Sequence, residues 1–353
     1  MIYSDKTQEA VQLLKQMVAI PSFSREEGEV ADLIQQFLEA KGYQPIRTGN
    51  NVWTKAHNYD KSLPTILLDA HLDTVKPVSG WTHEPFAAEE SADGIIYGLG
   101  TNDDGASLVS LMQVFFAIDK MVRKTQYNLI FSASCEEEVS GKNGIESILP
   151  LLPPIDFAIV GEPTNMQLAI AEKGLMVIDV TEKGVAGHAA RNEGVNAIYK
   201  AVGDIQWIHN HQFAKTSDLL GPVKATVTVI NAGTQHNVIP DHCQFTIDVR
   251  SNECYTNQEL FDEIAGNLQG TAVARSFRLN SSSIDPAHPF IQKAISLGLK
   301  PFGSPTLSNQ ALLPFPSVKI GPGDSSRSHT ADEFIKIAEI EQAIQLYIQL
   351  LQA

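Results

Sequence analysis

Thr65-Ile66-Leu67-Leu68-Asp69-Ala70-His71-Leu72-Asp73 begins as a short apolar run and closes on an imidazole and a carboxylate. Such a run is the length of a buried strand, and the polar residues after it would stand at the strand's carboxyl end. Four more residues able to bind a metal hold the same place in their own segments. Asp103 follows residues 94–98, Glu138 lies just past 128–131, Glu162 comes after 157–160, and His329 comes a loop's length after 317–320. In an α/β sheet the carboxyl ends of the strands form the ligand-binding edge, so residues far apart in sequence can converge there. Two histidines and three carboxylates at one edge point to a hydrolytic site with two divalent metals.

The pattern around these runs gives the domain plan. Up to about residue 173 helices alternate with buried strands. Residues 7–20 carry a helical stripe of Ala10, Val11, Leu14, Met17 and Val18, closed by Pro21; Ser24 with Glu27 reads as a capping box for a second helix to about residue 41. From about 174 to 283 the rhythm changes. Strand 175–182, helix 195–209, strands 223–232 and 243–250, helix 258–268 and strand 272–279 give the β-α-β-β-α-β order of a ferredoxin-like unit. After Ile284-Asp285-Pro286 the α/β pattern returns, with a helix from about Pro289, a strand near Val318 and an amphipathic last helix over 337–351. The expected architecture is therefore a doubly wound α/β domain on a mixed sheet, residues 1–173 and 284–353, with an α+β domain inserted at 174–283.

Composition excludes several functions. The 353 residues are 43% hydrophobic and 19% charged, ordinary for a soluble globular protein. Lys plus Arg total 26 against 41 Asp plus Glu, a formal charge of -15, which argues against nucleic acid as a partner and is read as a solubility feature. No stretch has the length and apolarity of a membrane helix, and Met1-Ile2-Tyr3-Ser4-Asp5-Lys6 lacks a signal peptide's basic start and apolar core. Three cysteines at irregular spacing, Cys135, Cys243 and Cys254, argue against a disulfide framework and for a reducing, cytoplasmic setting.

Taken singly, the motifs are weak. Asp73 would lie on the same side of an extended chain as His71, where a carboxylate can take the second N–H of a metal-binding imidazole. Gly98-Leu99-Gly100-Thr101-Asn102-Asp103-Asp104-Gly105 resembles a nucleotide-binding fingerprint, but Asp103 stands where the third glycine belongs, and a carboxylate repels pyrophosphate. Glu136-Glu137-Glu138 would ordinarily be a solvated surface; directly after a strand it falls on the sheet edge, where one acid can bind metal while its neighbour holds a water. Pro163 stiffens the turn that presents Glu162. His57, His83, His209, His211, His242 and His288 have polar or loop-like surroundings and are read as non-catalytic, and His236, just before Asn237, is read as a minor candidate for substrate contact.

Taken in order, the motifs resemble a known family. HLDTV at 71–75, GxGxxD at 98–103, the triple acid at 136–138, GEPT at 161–164, GHAA at 187–190, NVIPD at 237–241 and GPG at 321–323 followed by a histidine are similar to the co-catalytic zinc aminoacylases and peptidases. That group includes acetylornithine deacetylase, succinyl-diaminopimelate desuccinylase, glutamate-releasing carboxypeptidases and dipeptidases. The resemblance implies two zinc ions, replaceable by cobalt or manganese. Asp103 would bridge them, with His71 and Glu162 on one and Glu138 and His329 on the other. It implies Glu137 as general base, Asp73 as the partner that orients His71, and a cis peptide after Asp103. From the inserted lid and dimerisation domain it implies His188 as oxyanion stabiliser, supplied across a homodimer in some relatives, and Asn237 and Arg250 as substrate contacts. Ser308-Asn309-Gln310 stands where the desuccinylases commonly carry Ser-Asp, and the Asn-Asp-Asp-Gly-Ala-Ser run resembles a short-chain bacterial branch of acetylornithine deacetylases, some acting on acetylcitrulline or succinylornithine. Asn309 is read as a side-chain contact and Arg327 as a partner for a second carboxylate. The expected activity is removal of an acetyl or succinyl group from an N-acyl ornithine or citrulline in arginine biosynthesis. Succinyl-diaminopimelate desuccinylase and dipeptidase are the alternatives, and an inactive binding relative is a remote one.

Overall fold

The computed structural model describes residues 3–121 and 126–352, and the chain divides into two compact units. One comprises Met1–Ile170, Ile284–Phe302 and Ser308–Ala353; the other comprises Ala171–Ser283 with Gly303–Leu307. The short Gly303–Leu307 segment has no counterpart in the sequence-based boundaries.

A mixed sheet forms the centre of the first unit. Its strands lie in the order Ile46–Thr48, Asn51–Lys55, Asn128–Ser134, Thr65–His71, Phe157–Val160, Ser317–Lys319 and Leu168–Glu172. The four strands from Asn128–Ser134 to Ser317–Lys319 are mutually parallel; Asn51–Lys55 at one side and Leu168–Glu172 at the other run antiparallel to them, and Ile46–Thr48 pairs antiparallel with Asn51–Lys55. Register aligns their ends. His71 pairs with Ser134, Asp69 with Val160 and Lys319 with Val160, so the four parallel strands end along one line.

One face of the sheet is covered by helices Asp5–Val18, Gly28–Ala40, Ala106–Asp119, Pro289–Ser296 and Ile337–Leu351, whose apolar residues pack on Leu68, Ala70, Phe131, Ile159 and Val318. Ala106–Asp119 is buried on nearly every side, and accordingly its sequence is apolar all round. The opposite face, with Leu67, Ile130 and Ala158, is closed by Trp53, by the short helix Ile145–Ile148, and by Leu312, Leu313 and Phe315.

Two local expectations fail. The run at 94–98 forms the half-buried strand Ile95–Tyr97 of a separate three-stranded antiparallel sheet with Glu89–Glu90 and Phe334–Lys336, so Asp103 does not follow a strand of the central sheet. The Ser24–Glu27 capping box is also absent. Helix Gly28–Ala40 starts without a side-chain cap because Ser24 donates to Asp73 and the buried Glu27 accepts from other backbone and side-chain donors. Tertiary contacts thus take residues that local sequence would spend on the helix end.

The second unit is a four-stranded antiparallel sheet in the order Lys224–Ala232, His242–Arg250, Met176–Lys183, Thr271–Ala274, carrying helices Ala197–Asn210 and Asn257–Asn267. Alternation in Met176–Lys183 buries Met176, Ile178 and Val180 against Phe245, Ile247, Leu260 and Ile264. The last strand stops at Ala274, short of the expected 279. Buried Asn257 donates to the carbonyls of Leu175 and Leu279, adding a side-chain tie to the backbone bonds from Arg275 N–H to Val177 and from Leu175 N–H to Leu279.

Candidate metal centre

The in-register strand ends place His71, the Glu136–Glu138 acids and Glu162 side by side, since each lies at or just past the end of a neighbouring parallel strand. Asp103 joins them from the turn before helix Ala106–Asp119, and His329 from the loop after Ser317–Lys319. His71 Nε2 lies 3.1 Å from Asp103 Oδ1, and His329 Nε2 lies 3.7 Å from Asp103 Oδ2 and 3.0 Å from Glu138. One carboxylate therefore offers its two oxygens to two different imidazoles. Ligand atoms of His71, Asp103 and Glu138 lie within 4.8 Å of one another, as do those of His71, Glu137 and Glu162. The Asp103–Asp104 peptide is cis.

The scaffold beneath these side chains was only partly visible in the sequence. Asp73, fully buried, accepts from Glu137 N–H at 2.9 Å, Glu138 N–H at 3.1 Å and Ser24 Oγ at 2.7 Å. Its carboxylate stays 3.6 Å from His71 Nδ1, whose nearer partner is the Asp73 backbone carbonyl at 2.9 Å. The ring's hydrogen bond thus goes to the Asp73 carbonyl, while the carboxylate lies within ion-pair distance of the ring and fixes the backbone of the acids. Glu136, the first acid of the run, turns away to accept from the Asn143 side chain at 2.9 Å, and its own N–H is held by Glu27 at 3.1 Å. Gly141 must lack a side chain there, since a Cβ would sit 1.8 Å from Glu136 Oε2. Glu333, which the sequence reading passed over, accepts from three backbone N–H groups of the turn bearing Asp103. The only signal was an acid four residues beyond His329.

The electrostatics are those of concentrated, buried negative charge. Burial, reinforced by Glu138, Asp73 and Asp103 and opposed by His71, pushes the Glu137 carboxyl well above its ordinary range. Burial with Asp103 and Glu137 does the same to Glu162, against Lys319, and burial raises Glu138 despite its bond to His329. The bond to Glu138 lifts His329 to about 9, and for His71 the bond to Asp103 with the nearby charges of Asp73, Glu137 and Asp104 overcomes burial to raise the ring well above its usual value. Asp104 is driven to about 8 mainly by burial, and among the described residues its Oδ1 has no hydrogen-bond partner. Acids packed this densely repel one another unless cations neutralise them. Two imidazoles with clustered carboxylates supply the nitrogen and oxygen donors that divalent cations such as zinc take, so the residues fit a pair of them.

Two expected substrate contacts are committed elsewhere. Asn309 is buried, and its Nδ2 donates to Asp69 Oδ2 and to Ser134 Oγ, each at 2.9 Å, beneath the sheet's polar edge. Arg327 holds Glu339 through both terminal nitrogens at 2.8 and 3.0 Å and lies over the Phe334 ring at 4.4 Å. The pocket of amides and the receptor for a second carboxylate are corrected accordingly. In the second unit His188 is exposed on the short strand Gly187–His188, paired with Val238–Ile239, and the N–H of the next residue, Ala189, bonds the Asn237 carbonyl at 3.0 Å. Arg250 ends strand His242–Arg250 and shares its guanidinium with Asp248 at 2.8 and 3.1 Å.

The chain has relatives among known proteins. The sequence profile of peptidase family M20/M25/M40 matches residues 67–353. The chain is 26% identical to an acetylornithine deacetylase of Proteus mirabilis, covering 97% of this chain and 96% of that one. It is 25% identical to a succinyl-diaminopimelate desuccinylase of Hydrogenovibrio crunogenus, covering 96% and 97%. Among solved structures, a tripeptidase of Staphylococcus aureus superposes with a TM-score of 0.77 at 20% identity, covering 99% of this chain and 98% of that one. A dinuclear metal-binding peptidase of family M20 from Bacillus subtilis does so at 0.73 and 18%, covering 98% and 97%.

Proposed function

The chain belongs to peptidase family M20/M25/M40, and from that membership we propose that it is a two-cation hydrolase acting on the amide bond of an N-acyl amino acid. The observation that carries this reading is Asp103, whose two oxygens face His71 and His329 at 3.1 and 3.7 Å beside the largely buried acid Glu137. Asp103 is assigned as the shared ligand, His71 and Glu162 as the remaining donors to one cation, and Glu138 and His329 as those to the other, with zinc as the metal. When bound, the pair lowers the pKa of a shared water and polarises the substrate carbonyl.

The chain's own residues carry the rest. Glu137 takes a proton from the attacking water and returns it to the leaving amine. Asp73 keeps Glu137 and Glu138 in place through their backbone N–H groups. On resemblance alone, His188 is assigned to the developing oxyanion, Asn237 to substrate contact, and Arg250 to the α-carboxylate, which a guanidinium can hold through both oxygens.

The substrate assigned is an N-acetyl or N-succinyl ornithine or citrulline, supported by the likeness to acetylornithine deacetylase. A second reading, N-succinyl-diaminopimelate, has support from a relative of nearly equal identity, and it gains because Asn309, whose amide is spent on Asp69 and Ser134, no longer argues against it. A homodimer through the second unit is also proposed. Strand Lys224–Ala232 lies at the edge of its sheet with Val229 and Ile230 about half exposed, and helix Ala197–Asn210 exposes Tyr199 at 77%. Among the described residues no helix is long and apolar enough to cross a membrane; a cytoplasmic site is proposed from the three free cysteines.

Release of amine from a panel of N-acetyl and N-succinyl ornithine and citrulline, succinyl-diaminopimelate and a dipeptide, with zinc and then with chelator, tests the assignment. The expected result is chelator-sensitive cleavage led by an ornithine or citrulline derivative. A clear lead for succinyl-diaminopimelate or the dipeptide overturns the substrate and leaves the metal chemistry standing. No cleavage by cation-loaded protein supports the inactive relative.

A further inference from the structure

We infer that Glu333 is a positioning residue that sets the ligand geometry of Asp103 and, with Asn102, locks the turn bearing Asp103 to the chain segment bearing His329. The inference rests on the two-cation reading, because it concerns how the shared ligand is aimed.

The turn between strand Ile95–Tyr97 and helix Ala106–Asp119 has irregular backbone: Asp103 (φ -123°, ψ 94°) and Asp104 (φ -127°, ψ 20°) are both non-helical. Thr101 and Gly105 N–H find carbonyls at Gly98 and Gly100, and the other buried N–H groups of the turn must also find acceptors. One carboxylate takes three of them. Glu333 Oε2 accepts from Gly100 N at 3.0 Å, while Oε1 accepts from Asn102 N and Asp103 N, both at 2.9 Å. Glu333 is 2% exposed and Asn102 fully buried, so water does not compete for these bonds.

The same two stretches are tied twice more. Asn102 Oδ1 accepts from Asp324 N at 3.0 Å, and its Nδ2 donates to the Asp324 carbonyl at 3.1 Å and to Ser328 Oγ at 3.2 Å, one residue before His329. Gly323, at φ +84°, makes room for this: a Cβ there would lie 2.2 Å from Asn102 Oδ1. Gly98 N donates to the Glu333 carbonyl at 2.9 Å, and strand Phe334–Lys336 pairs with Ile95–Tyr97. His329 and Asp103 are therefore placed by one stitched piece of structure, although 226 positions separate them in the chain (329 minus 103).

The role has a distinctive consequence. Loss of His71 or His329 removes a donor from one cation, whereas loss of the Glu333 clamp displaces the ligand that both cations share. Glutamine at 333 keeps the shape but turns an NH2 group toward at least one backbone N–H, so it cannot hold all three donors. Outer partners of metal ligands typically contribute 10–100-fold to metal affinity.

The experiment compares wild type with Glu333→Gln and Glu333→Asp. Secondary structure and melting temperature are measured on metal-free protein, Zn2+ and Co2+ binding by calorimetric titration, the Co2+ visible spectrum on loaded protein, and kcat and KM on the best panel substrate. The expected result for Glu333→Gln is a folded metal-free protein in which both cations bind about 10–100-fold more weakly, the Co2+ spectrum is altered, and kcat falls with KM little changed. Glu333→Asp should fall between, keeping charge but not reach. Wild-type affinities, spectrum and kcat in Glu333→Gln overturn the inference while leaving the two-cation reading intact. Weakening of one cation only also overturns it, and so does failure of both variants to fold, which would make Glu333 a folding residue. Wild-type protein that takes up no cation overturns both the inference and the reading beneath it.

Discussion

Asp73→Asn keeps the volume of a fully buried side chain and changes only its charge and donor pattern. The carboxylate holds three donors: Ser24 Oγ at 2.7 Å and Glu138 N at 3.1 Å on Oδ2, and Glu137 N at 2.9 Å on Oδ1. With its carbonyl at the Oδ2 position, the asparagine serves the first two and turns its NH2 toward the Glu137 N–H. One bond to a charged acceptor is lost and one buried donor is orphaned, a cost of about 2–3 kcal/mol. Ser24→Ala removes a donor that Oδ2 can spare, since Glu138 N remains, and should cost about 1 kcal/mol. Because a chain of two compact units need not unfold in a single transition, the suitable assay is native-state hydrogen exchange at the amides of strand Asn128–Ser134 in metal-free protein, which reports the first unit. An Asp73→Asn stability within about 0.5 kcal/mol of wild type, or an equal cost for Ser24→Ala, would refute this role for the carboxylate.

Glu137→Gln should lower kcat by at least about 100-fold with both cations still bound, the loss expected for a general base; Glu138→Ala should lose one cation, and metal analysis giving the reverse pattern would shift the assignment by one residue. Arg327→Ala should lower the melting temperature through loss of its paired bonds to Glu339, at about 1 kcal/mol, and leave the acetyl-to-succinyl ratio of kcat/KM unchanged; a collapsed ratio would return Arg327 to the substrate. Bonds from Asn165 and Ser326 hold Asp324 down at about 2. A carboxyl depressed in the folded state stabilises above its unfolded value near 3.9 and loses that contribution as pH falls toward 2, so Asp324→Asn should destabilise at pH 7 and differ little from wild type near pH 2. Equal destabilisation at both pH values would count against it.

Much of the site was legible because each metal-binding candidate but one follows a strand of the central sheet. The parallel strands ending at His71, Ser134, Val160 and Lys319 were readable as apolar runs, and their common direction alone aligns the residues behind them. Asp103 was found for a different reason than the one that places it. Its preceding strand belongs to a side sheet, and the turn is aimed by Glu333, a contact across 230 positions that no local pattern reveals. Ser24 and Glu27 misled in the opposite sense, since a capping motif is local while their actual partners, Asp73, Asn50 and Glu136, come from other segments. The sequence suggests Asn309 as a side-chain contact and Arg327 as the partner of a second carboxylate, but polarity says nothing about whether a side chain is already satisfied. Asn309 spends its amide on Asp69 and Ser134, and Arg327 spends its guanidinium on Glu339. In the second unit the ferredoxin-like order is visible because alternation and amphipathic stripes are local, whereas the tie from the buried Asn257 side chain to the Leu279 carbonyl, beyond the end of strand Thr271–Ala274, is a long-range contact.

Anomalous scattering from crystals soaked in zinc is the most direct test of a shared-ligand centre. Such a centre requires two peaks about 3.5–4 Å apart on either side of the Asp103 carboxylate, one reached by His71 and the other by His329. A cation-loaded, active enzyme showing a single peak, or two peaks with Asp103 bound to neither, would contradict it.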